Sequence, residues 1–206
     1  MGISPEHVER LSKKLALLEG LLAYQEGQLT GIEAQRQLTQ LSEDLAAVAP
    51  TYTQTEQAEM LTGLWQLLYT NRNSFSSLEQ IPGFSIRRLF QAIRGQEQRV
   101  LNLAELVSVG PLKGLVAGQA RFEPVGNQRI EVFFERVFIT TPSLLTGERI
   151  STWVEQFLGG QAPALSFALQ GQQGWLEIRY VDETLRIAVG NEGNLFILKR
   201  IHEESA

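Results

Sequence analysis

Leu61-Thr62-Gly63-Leu64-Trp65-Gln66-Leu67-Leu68-Tyr69-Thr70 is the stretch that decides the fold class of this 206-residue chain. Trp65, Leu67 and Tyr69 alternate with Gln66, Leu68 and Thr70, the period of two that puts successive side chains on opposite faces of a strand. Downstream the same period recurs in candidate strands at 100–109, 112–123, 127–140, 164–170, 174–181, 185–189 and 195–201. Most are separated by turn residues: Gly110-Pro111, Gly126-Asn127, Gly171 to Gly174, Asp182-Glu183 and Gly190-Asn191-Glu192-Gly193-Asn194. About eight antiparallel strands joined by short hairpins suit a closed barrel or a sandwich. Strand 127–140 is apolar on both faces: Ile130, Val132, Phe134 and Phe138 on one, Phe133, Val137 and Ile139 on the other. In a barrel one of those faces meets the lumen and the other needs a cover. The spacing of Ile86, Leu89, Phe90 and Ile93 predicts a helical piece over 85–94, and 150–158 reads as either helix or strand.

Upstream the period is helical. Ser4 is a suitable N-cap with Pro5 in the first turn, and Val8, Leu11, Leu15, Leu18 and Leu22 recur at alternating steps of three and four. Gly27 and Gly31 break this pattern. Thr30 and Glu33 then have the spacing of a capping box, Leu38, Leu41, Leu45 and Val48 form a second stripe, and Pro50 closes it. Residues 1–50 are thus expected to form an antiparallel helical hairpin ahead of a β domain spanning 51–206. The first stripe is expected to cover one end or face of that domain. Its other use would be docking on a membrane or partner, although Glu6, Glu9, Arg10, Lys13, Lys14 and Glu19 do not make the basic face that anionic lipid attracts.

Composition narrows the function. A formal charge of -5 leaves no basic footprint for a phosphate backbone. With no cysteine there are no disulfides, thiolate sites or thiol nucleophiles, which fits a reducing compartment. The two histidines, His7 and His202, lie near the termini, so a zinc site or a histidine-based triad is not expected, and no spacing singles out a carboxylate pair among the 23 Asp and Glu residues. No cofactor, metal site or enzymatic activity is therefore expected. The opening residues lack an apolar signal region, Glu6 stands where a myristoylation motif wants Ser or Thr, and no run approaches the roughly 20 apolar residues of a membrane span. The Gly190–Asn194 run reads as a hairpin turn rather than a phosphate loop, because a strand and not a helix follows it.

Two separated blocks carry a family resemblance. Gly63-Leu64-Trp65-Gln66-Leu67-Leu68-Tyr69-Thr70 resembles the first strand "W-x-L-x-Y-T" of the plastid-lipid-associated or fibrillin family. Leu176 to Ile187 with Gly190-Asn191-Glu192-Gly193-Asn194-Leu195-Phe196-Ile197-Leu198 resembles its closing block, with Val181 and Val189 departing from the usual Leu and Arg. The middle, 84–160, matches loosely, in the Gln98…Asn102 and Phe133-Phe134 patches. The resemblance implies a lipocalin-like antiparallel barrel preceded by helices, in a photosynthetic organism, and a member of the cyanobacterial type or a mature form, since a transit peptide is not seen. It also implies a cytoplasmic protein peripheral to the thylakoid, or one of the plastid stroma or plastoglobules in a plant. The partner it implies is a hydrophobic small molecule or lipid surface, not nucleic acid. The ligand would be an acyl lipid, carotenoid, quinone or polyprenyl chain. The alternative is a filled barrel that coats lipid particles or supports isoprenoid-quinone synthesis.

In barrels of that kind a Trp at the position of Trp65 closes the base and a late Arg packs over it. Arg186 is the first candidate and Arg200 the second. Asp182, four residues before Arg186 across a turn, is placed to pair with it, so Gly63, Trp65, Asp182 and Arg186 form the expected structural motif. An eight-stranded calyx holds one small ligand or is filled by side chains. The lining is expected from Trp65, Leu67, Tyr69, Leu115, Ala117, Phe134, Phe138, Leu176, Ile178 and Tyr180, subject to a one-residue flip of face, with Ala117, Gly118 and Ala120 small enough to leave room.

Overall fold

The computed structural model describes residues 4–71, 83–126, 128–147 and 149–202, apart from the side chain of Glu192. Met1, Gly2 and Asn127, the first residue of the strand expected at 127–140, lie outside the described residues. The hairpin forms as α1 (Pro5–Gln25) and α2 (Gly31–Ala46). Ser4 caps α1, its Oγ accepting from the His7 N–H at 3.3 Å. The capping box expected at Thr30 is not made: Thr30 gives no side-chain cap, and Glu33 accepts instead from Arg36 Nη2 at 2.7 Å. Such a box closes instead at Thr53 and Glu56, opening α3 (Gln54–Leu61), a short helix whose weak apolar pattern hid it.

Eight strands then close a barrel: β1 (Gly63–Thr70), β2 (Phe84–Arg94), β3 (Arg99–Ser108), β4 (Lys113–Val125), β5 (Arg129–Thr140), β7 (Gln173–Val181), β8 (Leu185–Gly190) and β9 (Leu195–Ile201), with β9 returning to β1. Every pairing is antiparallel. The ninth strand, β6 (Leu165–Ala168), pairs with Arg136–Ile139 of β5, beyond Arg129–Phe133 where β5 pairs β7. Closure leaves fewer unpaired edges than either open sheet would. The β-barrel with N-terminal helices is therefore the architecture, and the sandwich is not.

Two expectations change. Residues 85–94 lie within strand β2, not a helix. A β-bulge between Ile86 and Arg88 puts Ile86 and Leu89 on one face three residues apart, and the strand alternation carries that face on to Ile93, which together imitate a helical spacing. The 150–158 stretch is helix α4 (Ile150–Leu158), its Ile150, Trp153, Val154 and Phe157 buried.

Three packed layers organise the molecule. The hairpin lies on the outer face of β7, β8, β9 and β1, with Leu17, Leu21, Leu38 and Leu45 against Tyr69, Tyr180, Leu185, Ile187, Leu195 and Ile197. Helix α4 covers the outer face of β2–β5 through Phe90, Leu101, Leu103, Leu115, Ala117 and Phe138. Inside the barrel Trp65, Ile93, Val100, Phe122, Val132, Ile178 and Leu198 fill the end toward α3.

The stripe of α1 takes the opposite side from the one expected. Val8, Leu11, Leu15, Leu18 and Leu22 are exposed by 40–57%. Leu17, Gly20 and Leu21, roughly a half-turn round, face the hairpin core instead. Gly20 permits the close crossing, since a Cβ there would lie 2.9 Å from Leu41 Cδ1.

Candidate functional site

The barrel floor is built around Trp65, which is fully buried. Its indole N–H donates to the Leu61 carbonyl at 2.8 Å, tying the C-terminus of α3 across the barrel end. Arg200 lies over the ring at 4.2 Å and Arg186 at 5.0 Å, so both late arginines stack, the second candidate more closely. Arg200 donates to the Thr62 carbonyl at 2.5 Å, to the Glu183 carbonyl at 2.8 Å and to the Met60 carbonyl. It thereby joins the end of α3 to the β7–β8 turn.

Arg186 does not meet Asp182. Asp182 turns outward, where its carboxylate accepts from Lys14 Nζ at 2.5 Å, the Tyr180 hydroxyl at 2.7 Å and the Thr184 and Leu185 N–H groups at 2.8 Å each. The Arg186 side chain instead enters the lumen, because alternation along β8 puts it with Ala188 on the inner face. There it donates to Gln91 Oε1. Gln91 Nε2 in turn donates to Asn102 Oδ1 at 2.7 Å, so a polar chain runs from β8 to β2 to β3. Arg186 is 2% exposed, and its Nε has no hydrogen-bond partner among the described residues. Burial, with Arg200 nearby, pushes the Arg186 guanidinium down to about 9.

Above this layer the lumen is less filled. Trp65, Ile93, Val100, Val132 and Ile178 are buried, whereas Leu67, Leu89, Gln91, Asn102, Phe134, Val137, Leu176 and Phe196 are only partly so. Gly118 pairs with Asn102 and Val137 and shares their inward face, and a Cβ there would meet nothing within 4 Å. At the far end, Ile139 and the β6 side chains Leu165 and Phe167 continue this face to an apolar mouth, with Val109 and Leu112 on the neighbouring turn. A side cleft of about 490 Å³ opens where β5 exchanges β7 for β6, lined by Gln119, Arg121, Phe134, Leu169 and Gln173 among others.

Five of the ten expected lining residues, Trp65, Leu67, Phe134, Leu176 and Ile178, are gathered in the lumen. The other five face outward. Tyr69 and Tyr180 lie under the hairpin because β-bulges after Leu67 and Ile178 reverse the alternation. Leu115 and Ala117 lie under α4 on the opposite parity of β4, and Phe138 joins them because a bulge at Glu135 reverses the alternation of β5 after Phe134. Gln91 and Asn102 were not among the expected site residues. The signal for Asn102 was a lone amide on the face of Val100, Ala104 and Leu106, while Gln91 sat in the segment read as helix.

Among the described residues no helix is long and apolar enough to cross a membrane. No three His, Cys, Asp or Glu side chains among them gather as a metal site would require.

Comparison with known proteins gives consistent relatives. The chain is 28% identical to a probable plastid-lipid-associated protein 2 of Arabidopsis thaliana, over 94% of this chain and 71% of that protein. It is 27% identical to a light-induced chloroplastic protein of Solanum tuberosum, over 94% and 68%. It is 25% identical to a chromoplast-specific carotenoid-associated protein of Cucumis sativus, over 95% and 69%. A solved lipocalin-like protein of Bacteroides uniformis overlaps with a TM-score of 0.36 at 12% identity, covering 69% of this chain and 99% of that one, a likeness too slight to bear on function. The PAP_fibrillin family model matches residues 11–199, and the chain belongs to the plastid-lipid-associated (fibrillin) family.

Proposed function

We propose that this protein holds one hydrophobic molecule (a lipid, carotenoid, quinone or polyprenyl chain) in the upper half of its barrel, and does so at the surface of a thylakoid or lipid particle. The observation that carries this reading is the incompletely buried inner wall above Trp65, formed by Leu67, Phe134, Leu176 and Phe196, with open space beside Gly118. Apolar pockets of this kind bury most of a ligand's surface while a few polar groups orient it. Leu165 and Phe167 at the mouth, 69% and 54% exposed, suit entry from a lipid phase. The relatives' names, plastid-lipid-associated and carotenoid-associated, agree with such cargo. The protein acts here as a binder rather than an enzyme.

The test is native mass spectrometry with lipid extraction on protein from a photosynthetic host. Wild type should carry a stoichiometric apolar molecule, and Gly118→Phe, which fills the open space, should lose it without unfolding. An empty wild-type protein under gentle conditions would sink the reading.

A second reading, a coat or scaffold on lipid particles with no cargo, is favoured by the exposed stripe of α1. Replacing Leu11, Leu15 and Leu18 together by Gln should abolish flotation with galactolipid vesicles while changing stability by less than about 0.5 kcal/mol per site. Undiminished flotation would exclude α1 as the seat.

A further inference from the structure

Building on the barrel reading, we propose that the preferred cargo is an amphiphile with a long apolar tail and a single carboxylate head. The head sits at the bottom of the open lumen on the Gln91 and Asn102 amides, with Arg186 behind them. Charge accounting leads there. Among the described residues the lumen cations Arg186 and Arg200 are not equivalent: every donor-bearing nitrogen of Arg200 meets a main-chain carbonyl, whereas Arg186 has one neutral partner there, Gln91, and an Nε with none. No Asp or Glu among the described residues takes an inward position on the strands. Glu105, the most buried, faces outward and pairs with Arg88 at 2.7 Å.

A desolvated cation without a counter-anion is costly to keep, and a bound anion would relieve that cost. Lowered by desolvation to about 9, the guanidinium still carries its charge at neutral pH, and an anion beside it would offset that desolvation.

Geometry supplies the seat. Gln91 and Asn102 stand between Arg186 and the open lumen, both partly exposed, and the Asn102 amide nitrogen has no hydrogen-bond partner among the described residues. Gly118, beside Asn102 on the adjacent strand, leaves open space, since a Cβ there would meet nothing within 4 Å. Above it the wall is Leu67, Phe134, Leu176 and Phe196, with no charged side chain at an inward position, which suits a hydrocarbon tail. One uncompensated positive charge matches a carboxylate better than a phosphate dianion.

The test compares cis-parinaric acid with cis-parinaryl alcohol at pH 7.5 by energy transfer from tryptophan, on the full chain. Wild type should bind the acid at least tenfold more tightly than the alcohol. Asn102→Leu and Arg186→Met should each bring that ratio toward one by weakening the acid and sparing the alcohol. Should Arg186→Met fail to fold, the wild-type ratio and Asn102→Leu still decide. Equal affinity for acid and alcohol overturns the anionic head but leaves the barrel reading standing. Binding of neither, with Gly118→Phe indistinguishable from wild type, overturns both. A phosphate monoester of the same chain length binding more tightly than the acid overturns the carboxylate assignment.

Discussion

Gly63 has a backbone φ of 140°, and a Cβ on it would run into Arg200 Nη1. The Gly-x-Trp pattern therefore has a spatial cause: the residue two before the floor tryptophan must lack a side chain so that the guanidinium can lie over the ring and reach the α3 carbonyls. Gly63→Ala should lose about 1–3 kcal/mol through strain and displacement of Arg200. That would be read as a lower urea midpoint at unchanged slope, and an unchanged midpoint would refute the account. At this scale the sequence was half legible. Trp65 and its two arginines stood out through the resemblance, which implies a late Arg packed over the floor tryptophan. The direction of Asp182 was not legible, since four residues across a turn fix separation along the chain but not the face each side chain takes.

Elements were legible where their period was clean and misread where a bulge broke it. The strands 100–109 and 195–201 matched β3 and β9 to within a residue, whereas the bulge in β2 produced a false helical spacing and those in β1 and β7 moved Tyr69 and Tyr180 outside. The attachment of α1 to the β7–β8 turn rests on Asp182. Burial alone would push its carboxyl up, but the Lys14 and Tyr180 donors and two backbone N–H groups outweigh that and hold it below the usual carboxylate range. The Tyr180 hydroxyl is raised by burial, and also by its bond to Asp182.

The signs follow by linkage. Asp182 binds its proton less readily when folded, so its contribution is full above about pH 4 and is lost as the pH falls further. Tyr180 binds its proton more readily when folded, so its contribution is full below about pH 10 and is lost above it. Denaturation curves against pH should show both limbs, the acid limb flattened in Asp182→Asn and the alkaline limb flattened in Tyr180→Phe. A profile identical to wild type in either variant would contradict the assigned partner.

For the whole molecule, the division into residues 1–50 and 51–206 describes the chain order better than the energetics. The hairpin covers Tyr69, Tyr180, Leu185, Ile187, Leu195 and Ile197, and exposing that set would cost on the order of 10 kcal/mol at about 1.5–3 kcal/mol per large side chain. That is comparable to the roughly 5–15 kcal/mol holding a typical domain together. Removal of residues 1–50 should therefore give an aggregating or molten protein by near-ultraviolet circular dichroism, and a cooperative, monomeric barrel from 51–206 would prove the hairpin dispensable. The sequence by itself determined the helix-then-strand order, seven of the eight barrel strands, the floor tryptophan and the family, because periodicity and local motifs are properties of the chain taken in order. Only the tertiary structure decided which face each residue takes, that α1 presents its leucine stripe outward, and that Arg186, Gln91 and Asn102 meet inside the barrel. Those depend on bulges, on closure of β9 onto β1 and on packing between segments about a hundred residues apart, which short-range spacing does not encode.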